Sequence, residues 1–341
     1  MLCGCAKIRS TSLDQAARLY KLQAVAVVRK SSSRASSAAP RPVLKVAGRS
    51  VPVSRLDKVF YPAVGFTKAQ IIDYYIRVSN VLLPHLKDRP LTLKRYPDGV
   101  TGGFFYEKRC PAHRPEWVQT VPVWSEGNAA EIHFCLANDL PTIVWAANLG
   151  DLELHTYLAK GRKIEQPTMM VFDLDPGMPA GIIECARVAF WLKDKLESDG
   201  LQGFPKTSGS KGLQVYVPLN AATSYDVTKP YSHFLATALE QEHPDLVISR
   251  MEKRLRTGKV FVDWSQNDRH KTTICAYSLR AKEKPSVSTP VTWDEVQNAL
   301  KKGDPEMLTF LSDAVLKRVE EHGDLFEPVL KLKQKIPKKA F

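Results

Sequence analysis

The chain has 341 residues, 44% hydrophobic and 25% charged, the balance of an ordinary water-soluble domain. No run of ~18 apolar residues occurs, which excludes a membrane-spanning helix. The formal net charge of +13 sits at the ends: residues 1–45 hold nine Lys/Arg against Asp14 alone, residues 331–341 hold five Lys and no acid, and residues 46–330 balance to zero. Anion binding by the middle of the chain must therefore come from local patches. Basic ends add weak, salt-sensitive affinity for nucleic acid, and solvated tails without a role look the same.

Residues 1–42 read as a basic low-complexity tail, mostly disordered, with a short helix conceivable over 13–28. Leu2-Cys3-Gly4-Cys5 echoes a lipoprotein cleavage site but lacks the preceding basic and apolar segments of an export signal. Order is expected from Val43, where Leu44 to Val53 reads as a hairpin. Thr67-Lys-Ala-Gln70 is a capping-box pattern, and the helix it opens carries Ile71, Ile72, Tyr75, Val78 and Leu82 as an apolar stripe. Strands follow near Leu91–Lys94, Gly103–Tyr106 and Ile132–Cys135, then a helix over Thr142–Leu149 leading into Leu152-Glu-Leu-His155. Next come an apolar strand from Met169, a helix from about Gly181 to Asp199, strand Leu213–Leu219, a helix near Thr228–Gln241 and strand Val260–Trp264. Thr292-Trp-Asp-Glu295 is a second capping box opening a helical C-terminal region, and 331–341 reads as a basic tail. Strands and helices mix without strict alternation, so the fold class is α+β around a central, mostly antiparallel sheet flanked by helices. The six cysteines (Cys3, Cys5, Cys110, Cys135, Cys185, Cys275) are scattered. Cys110-Pro-Ala-His113 is half a zinc site at best, and a reduced, cytoplasmic setting is expected.

Four stretches carry chemistry. Val171-Phe-Asp173-Leu-Asp175-Pro-Gly177 puts two carboxylates one residue apart at a strand end. Side chains alternate along a strand, so both point the same way, with Cα atoms roughly 7 Å apart. Hard divalent cations relieve their repulsion; a strand running out into a solvated turn is the plainer alternative. Thr207-Ser208-Gly209-Ser210-Lys211-Gly212 leads straight into a strand. Its small residues let backbone N–H groups approach an anion, with Ser208 adding a hydroxyl and Lys211 a charge. It is not a Walker A loop, because no helix follows; a glycine-rich turn is the alternative. Lys259-Val-Phe-Val-Asp263 ends another apolar strand in a carboxylate, the third acid that a two-metal site requires. Tyr277-Ser-Leu-Arg280 offers an arginine for a terminal phosphate, or a surface ion pair.

With Arg89 to Gly99, Phe104-Phe-Tyr-Glu-Lys108, Leu152 to His155 and Val260 to Asn267, these segments resemble, in order, the polymerase domain of bacterial ligase D. That family is a branch of the archaeo-eukaryotic primase superfamily, and the similarity runs from about residue 46 to 330. The resemblance implies a primase-polymerase catalytic domain over 43–330. Its activity would be template-directed nucleotidyl transfer, filling gaps and extending ends in double-strand break repair by non-homologous end joining. Asp173, Asp175 and Asp263 would hold two Mn²⁺ or Mg²⁺ ions. His155, Ser208, Lys211 and Arg280 would bind the nucleoside triphosphate, with a taste for ribonucleotides. Lys58 and Lys68 match positions that hold a 5′-phosphate across a gap or break, and Lys68 lies in a helix first turn where the dipole favours an anion. Phe105 and Tyr106 match an aromatic pair that stacks on template bases, usually Phe-Phe. Lys94 would contact template or nucleotide, and Arg256 matches a loop arginine that helps activate the site. For His155 a satisfied core histidine, and for Arg256 a solvated basic loop, are the plain alternatives.

The Lys-x-Asp-Gly motif of lysyl adenylation is missing: Tyr96-Pro-Asp98-Gly99 has Tyr in the nucleophile's place. The chain alone is therefore not expected to seal nicks. It reads as a stand-alone polymerase module, bacterial, cytoplasmic and nucleoid-associated. It would work with 5′-phosphorylated DNA, a Ku-like end-binding protein and a separate ligase. Two other readings compete. In a haloacid-dehalogenase-type phosphatase, Asp173 would be phosphorylated and Asp175 would be the general acid, but Gly177 stands where Thr or Val is wanted. A non-enzymatic nucleic-acid binding module would leave three strand-end carboxylates to repel DNA.

Overall fold

The computed structural model describes residues 42–337. Strands β1 (Val43–Val46) and β2 (Arg49–Pro52) form the expected hairpin. Strands β3 (Val59–Tyr61) and β4 (Phe66–Thr67) pair and feed helix α1 (Lys68–Leu86). Its capping box is formed: Thr67 Oγ1 accepts from the Gln70 backbone N–H, and the Gln70 side chain accepts from the Thr67 N–H at 2.8 Å. The stripe from Ile71 to Leu82 is buried as its spacing requires. Then come β5 (Pro90–Arg95), β6 (Phe105–Glu107), β7 (Thr120–Ser125), β8 (Ala130–Leu136), α2 (Leu140–Asn148) and β9 (Asp151–Thr156). The second half holds β10 (Met169–Pro176), α3 (Ile182–Ser198), β11 (Phe204–Thr207), β12 (Leu213–Pro218), α4 (Tyr225–Glu242), β13 (Val247–Ile248), β14 (Val260–Asp263) and β15 (Thr273–Ile274). Helices α5 (Trp293–Lys302), α6 (Ser312–His322) and α7 (Glu327–Lys331) follow, α5 behind the second capping box.

The α+β class holds, and the mostly antiparallel strands form two main sheets beside the two-stranded pairs β1–β2 and β3–β4. One has the order β11-β12-β10-β14-β13, antiparallel except between β13 and β14. The other is antiparallel, β15-β9-β5-β8-β7, with β6 also on β5. The reason is visible in β10. Met170, Phe172 and Leu174 enter one core with Val188 and Leu192 of α3; Met169 and Val171, on the opposite face, join the core of the other sheet. A strand apolar on both faces lies between two layers. Asp173 and Asp175 continue the Met169/Val171 face and so open toward the second sheet.

The cysteine reading is corrected. Cys110 and Cys135 lie 5.0 Å apart at Cα and form a disulfide, tying the segment after β6 to β8. Cys110 is thus not half of a zinc site, and a wholly reduced setting does not describe this pair. The partners are 25 residues apart and meet only because β8 folds back on β7, which no local motif announces. Cys185 and Cys275 are free and buried. Cys3, Cys5 and the helix conceivable over 13–28 lie outside the described residues. Beyond Lys331 the chain stays docked: the Gln334 side chain bonds Gln202 and the Pro218 carbonyl, and Ile336 packs on the core. Among the described residues no helix is long and apolar enough to cross a membrane.

Candidate active site

Backbone register assembles the acids. β10 pairs β14 so that Asp173 sits directly opposite Asp263, with Asp175 two residues on. On its other side Asp173 faces Gln214 of β12. Opposite residues in an antiparallel pair have Cβ atoms about 4.5–5.5 Å apart. Two segments 90 residues apart in the chain thus place their carboxylates together. Burial pushes the Asp173 carboxyl up to about 7, with the charges of Asp175 and Asp263 adding to it; a Gln214 hydrogen bond and the Lys206 charge work against them. Asp175 is raised by burial and by Asp263, against the pull of Arg256 and Arg280. This unrelieved negative charge on hard oxygen donors suits divalent cations. Among the described residues, no three His, Cys, Asp or Glu side chains already close into a metal cage. Asp263 explains why: its Oδ1 accepts from the Ser265 N–H (3.0 Å) and hydroxyl (2.6 Å), and its Oδ2 from Gln266 (2.9 Å). The donor set fits the ions, and Gln266 is the group that would have to yield.

The loop between β11 and β12 forms the other wall. The Ser208 N–H bonds the Gly212 carbonyl, and Ser208 Oγ accepts from the Ser210 and Gly212 N–H groups. A Cβ on Gly212 would stand 2.1 Å from the Leu174 carbonyl, so only glycine lets the loop lie this close to the carboxylate strand. Arg280 Nη1 donates to the Ser208 carbonyl at 2.8 Å, joining the arginine to the cradle. A cleft of about 930 Å³ results, lined by Asp173, Asp175, Ser208, Lys211, His155, Arg280, Arg256 and Tyr106. Asp263, 9% exposed, does not line this cleft, whereas Gln266, which donates to its Oδ2, does. Lys108, Lys253 and Lys271 also line the cleft, so six Lys/Arg oppose two carboxylates although residues 46–330 are neutral as a whole.

The expected DNA contacts are placed less uniformly. Tyr106 reaches the cleft, edge-on to His155 at 6.1 Å. Phe105 points to the other face of β6, 44% exposed, with Arg95 over its ring. The ring beside Tyr106 is instead Phe104, at 5.9 Å. Lys94 is drawn to Glu153 at 3.1 Å and lies within 5.6 Å of the Tyr96, Phe104 and Tyr106 rings. Arg256 stacks on Phe261 at 3.7 Å, and its charge favours ionised Asp175. Lys58 pairs with Asp98 at 2.9 Å, away from the cleft. Lys68 is buried, its amine on the Asn148 carbonyl at 2.8 Å. Burial and the nearby Arg55 and Lys58 charges lower its pKa to about 8.

Three residues carry weight that the sequence reading left unassigned. Gln214 and the fully buried Lys206 form a chain behind Asp173, with Lys206 Nζ on Gln214 (2.5 Å) and Ser288 (2.6 Å). Glu153 lies under His155. The two-residue spacing of Glu153 and His155 on one strand was a usable signal; Lys206 left none.

The strand-end acids thus face a Ser/Lys/Arg cradle across a basic cleft. The model of the LigD primase-polymerase domain matches residues 67–326. The chain is 38% identical over 275 residues to the multifunctional non-homologous end joining protein LigD of Mycolicibacterium smegmatis, covering 80% of this chain and 35% of that protein. It is 34% identical over 269 residues to the bifunctional LigD of Bacillus subtilis, covering 79% of this chain and 42% of that protein. The solved polymerase domain of Mycobacterium tuberculosis ligase D in complex with DNA is similar with a TM-score of 0.76 and 38% identity, covering 83% of this chain and 99% of that one. The chain belongs to the LigD primase–polymerase family, and it spans a third to two-fifths of the length of these two LigD relatives.

Proposed function

We propose that this chain extends a primer strand by template-directed nucleotidyl transfer, filling gaps and extending ends during double-strand break repair by non-homologous end joining. The observation that carries this reading is the Asp173–Asp263 register beside the Ser208–Lys211 cradle. Asp173, Asp175 and Asp263 would hold two Mn²⁺ or Mg²⁺ ions. When bound, these supply Lewis-acid activation of the primer 3′-hydroxyl and neutralise charge at the α-phosphate. The chain's own groups do the rest. Ser208, Lys211 and Arg280 grip the triphosphate, and His155 steadies it from the opposite sheet. The Arg256 charge favours the ionised form of Asp175, against burial and Asp263, which raise its pKa. Tyr106 stacks on the template, and Lys58 takes the downstream 5′-phosphate, with Lys68 supporting it from below. Ku, a ligase activity and a cytoplasmic, nucleoid-associated setting are the partners and place this activity implies. The test is a gap-filling assay with labelled primer, ribo- and deoxynucleotides, and Mn²⁺ against Mg²⁺, with a generic phosphate ester in parallel. Extension dictated by the template base supports the proposal; ester hydrolysis without extension overturns it.

A further inference from the structure

Glu153 lies buried directly behind His155 of the cleft. It is 1% exposed, yet five groups converge on it. Its Oε2 meets Lys94 Nζ at 3.1 Å and His155 Nε2 at 3.0 Å. Its Oε1 meets Tyr96 Oη at 3.3 Å, the Ala281 N–H at 3.0 Å and Arg280 Nε at 3.4 Å. These contacts come from three places in the fold: β5 and its end, β9, and the segment after β15. A buried carboxylate without partners would take up a proton. Here burial raises the pKa, but the His155 hydrogen bond and the charges of Arg280, His155 and Lys94 outweigh it and hold the group well below the usual carboxylate range.

We infer that Glu153 is the positioning residue of the nucleotide subsite, one buried anion that holds His155 and Arg280 at the cleft and Lys94 beside them. Lone lysine and arginine side chains each lose rotamer freedom when they clasp a phosphate. Groups already pinned from below have lost that freedom on folding, so the incoming triphosphate meets a preset surface. The contact also fixes the histidine ring. With Nε2 directed at Glu153, Nδ1 is the nitrogen left for the cleft. A second link passes through Arg280, which donates to the cradle carbonyl of Ser208 with Nη1 while Nε lies 3.4 Å from Glu153 Oε1 as an ion pair without a hydrogen bond. Glu153 thereby ties the His155 side of the cleft to the Ser208 side.

The inference rests on the nucleotidyl-transfer reading, and the test separates the two. Wild type and Glu153→Gln, which keeps the shape and removes the charge, are compared by three measurements: titration with a fluorescent nucleoside triphosphate, KM and kcat for gap filling, and melting temperature. The expected result is nucleotide affinity and KM weakened roughly tenfold, a smaller change in kcat, and unchanged affinity for 5′-phosphorylated DNA. A residue that only supports the fold would lower the active fraction and the melting temperature at unchanged KM, which overturns the inference. If the Gln variant does not fold, Glu153→Asp keeps the charge and withdraws the carboxylate by about one methylene; its KM should still rise at least threefold, and an unchanged KM overturns the inference. Should wild type bind nucleotide but extend no primer, the polymerase reading fails while the Glu153 result stands on the binding data.

Discussion

Removing the charge of Asp173 should stabilise the metal-free protein while destroying its activity. The folded carboxyl titrates near 7, because it is buried beside Asp175 and Asp263, whereas an unfolded aspartate titrates near ~3.9. A carboxyl whose folded pKa is raised favours folding in its protonated form. That contribution is complete below about pH 4 and is lost as pH climbs through 7. Three units at about 1.36 kcal/mol each set a ceiling of about 4 kcal/mol on the strain carried by the ionised group at pH 8. Asp173→Asn keeps the shape and removes the charge. In chelator at pH 8 it should melt roughly 5–10 °C above wild type, and at pH 5 the difference should shrink to about a third of that. Adding Mn²⁺ should raise the wild-type melting temperature more than that of the variant, closing the gap from the other side. Thermal unfolding by circular dichroism across this pH series is the assay. An Asn variant less stable than wild type at pH 8 in chelator, or an offset that does not change with pH, would refute the claim that the carboxylates strain one another.

Two further outcomes follow from the geometry. Lys58→Ala should erase the affinity difference between DNA with and without a 5′-phosphate, roughly tenfold for one charge-assisted contact, measured by fluorescence anisotropy; a preserved difference would move the phosphate elsewhere, toward Lys68 or Arg55. Reducing Cys110–Cys135, or replacing both by Ser, should cost about 3 kcal/mol for a closed loop of 25 residues, read as a lower denaturation midpoint in urea; no change on reduction would show that the bond does not constrain the fold.

Much of the site was legible because it is built from strand ends. The apolar runs before Asp175 and Asp263 mark strands, alternation fixes which side chains share a face, and the Ser/Gly/Lys loop is recognisable by its small residues. Two capping boxes set the starts of α1 and α5 correctly. What the sequence concealed is tertiary. Nothing local says that β10 and β14 are neighbours or that their register puts Asp173 against Asp263; the family resemblance implied only that the three acids act together. The split into two sheets follows from β10 being apolar on both faces, a pattern visible in Met169 to Leu174 but readable only once the layers are known. Phe105 and Tyr106 are adjacent in β6 and so point to opposite faces, and Phe104 is the ring that neighbours Tyr106. Lys206 and the disulfide depend on packing partners 8 to 82 residues away, and no motif encodes them.

The convergence of three acids on shared cations is tested most directly by counting bound Mn²⁺ with electron paramagnetic resonance, in the presence of a non-hydrolysable nucleoside triphosphate and gapped DNA, for wild type and Asp263→Ala. Two ions per wild-type chain, falling to one or none in the variant together with loss of primer extension, is the predicted result. Equal Mn²⁺ occupancy and near-normal extension by Asp263→Ala would contradict it.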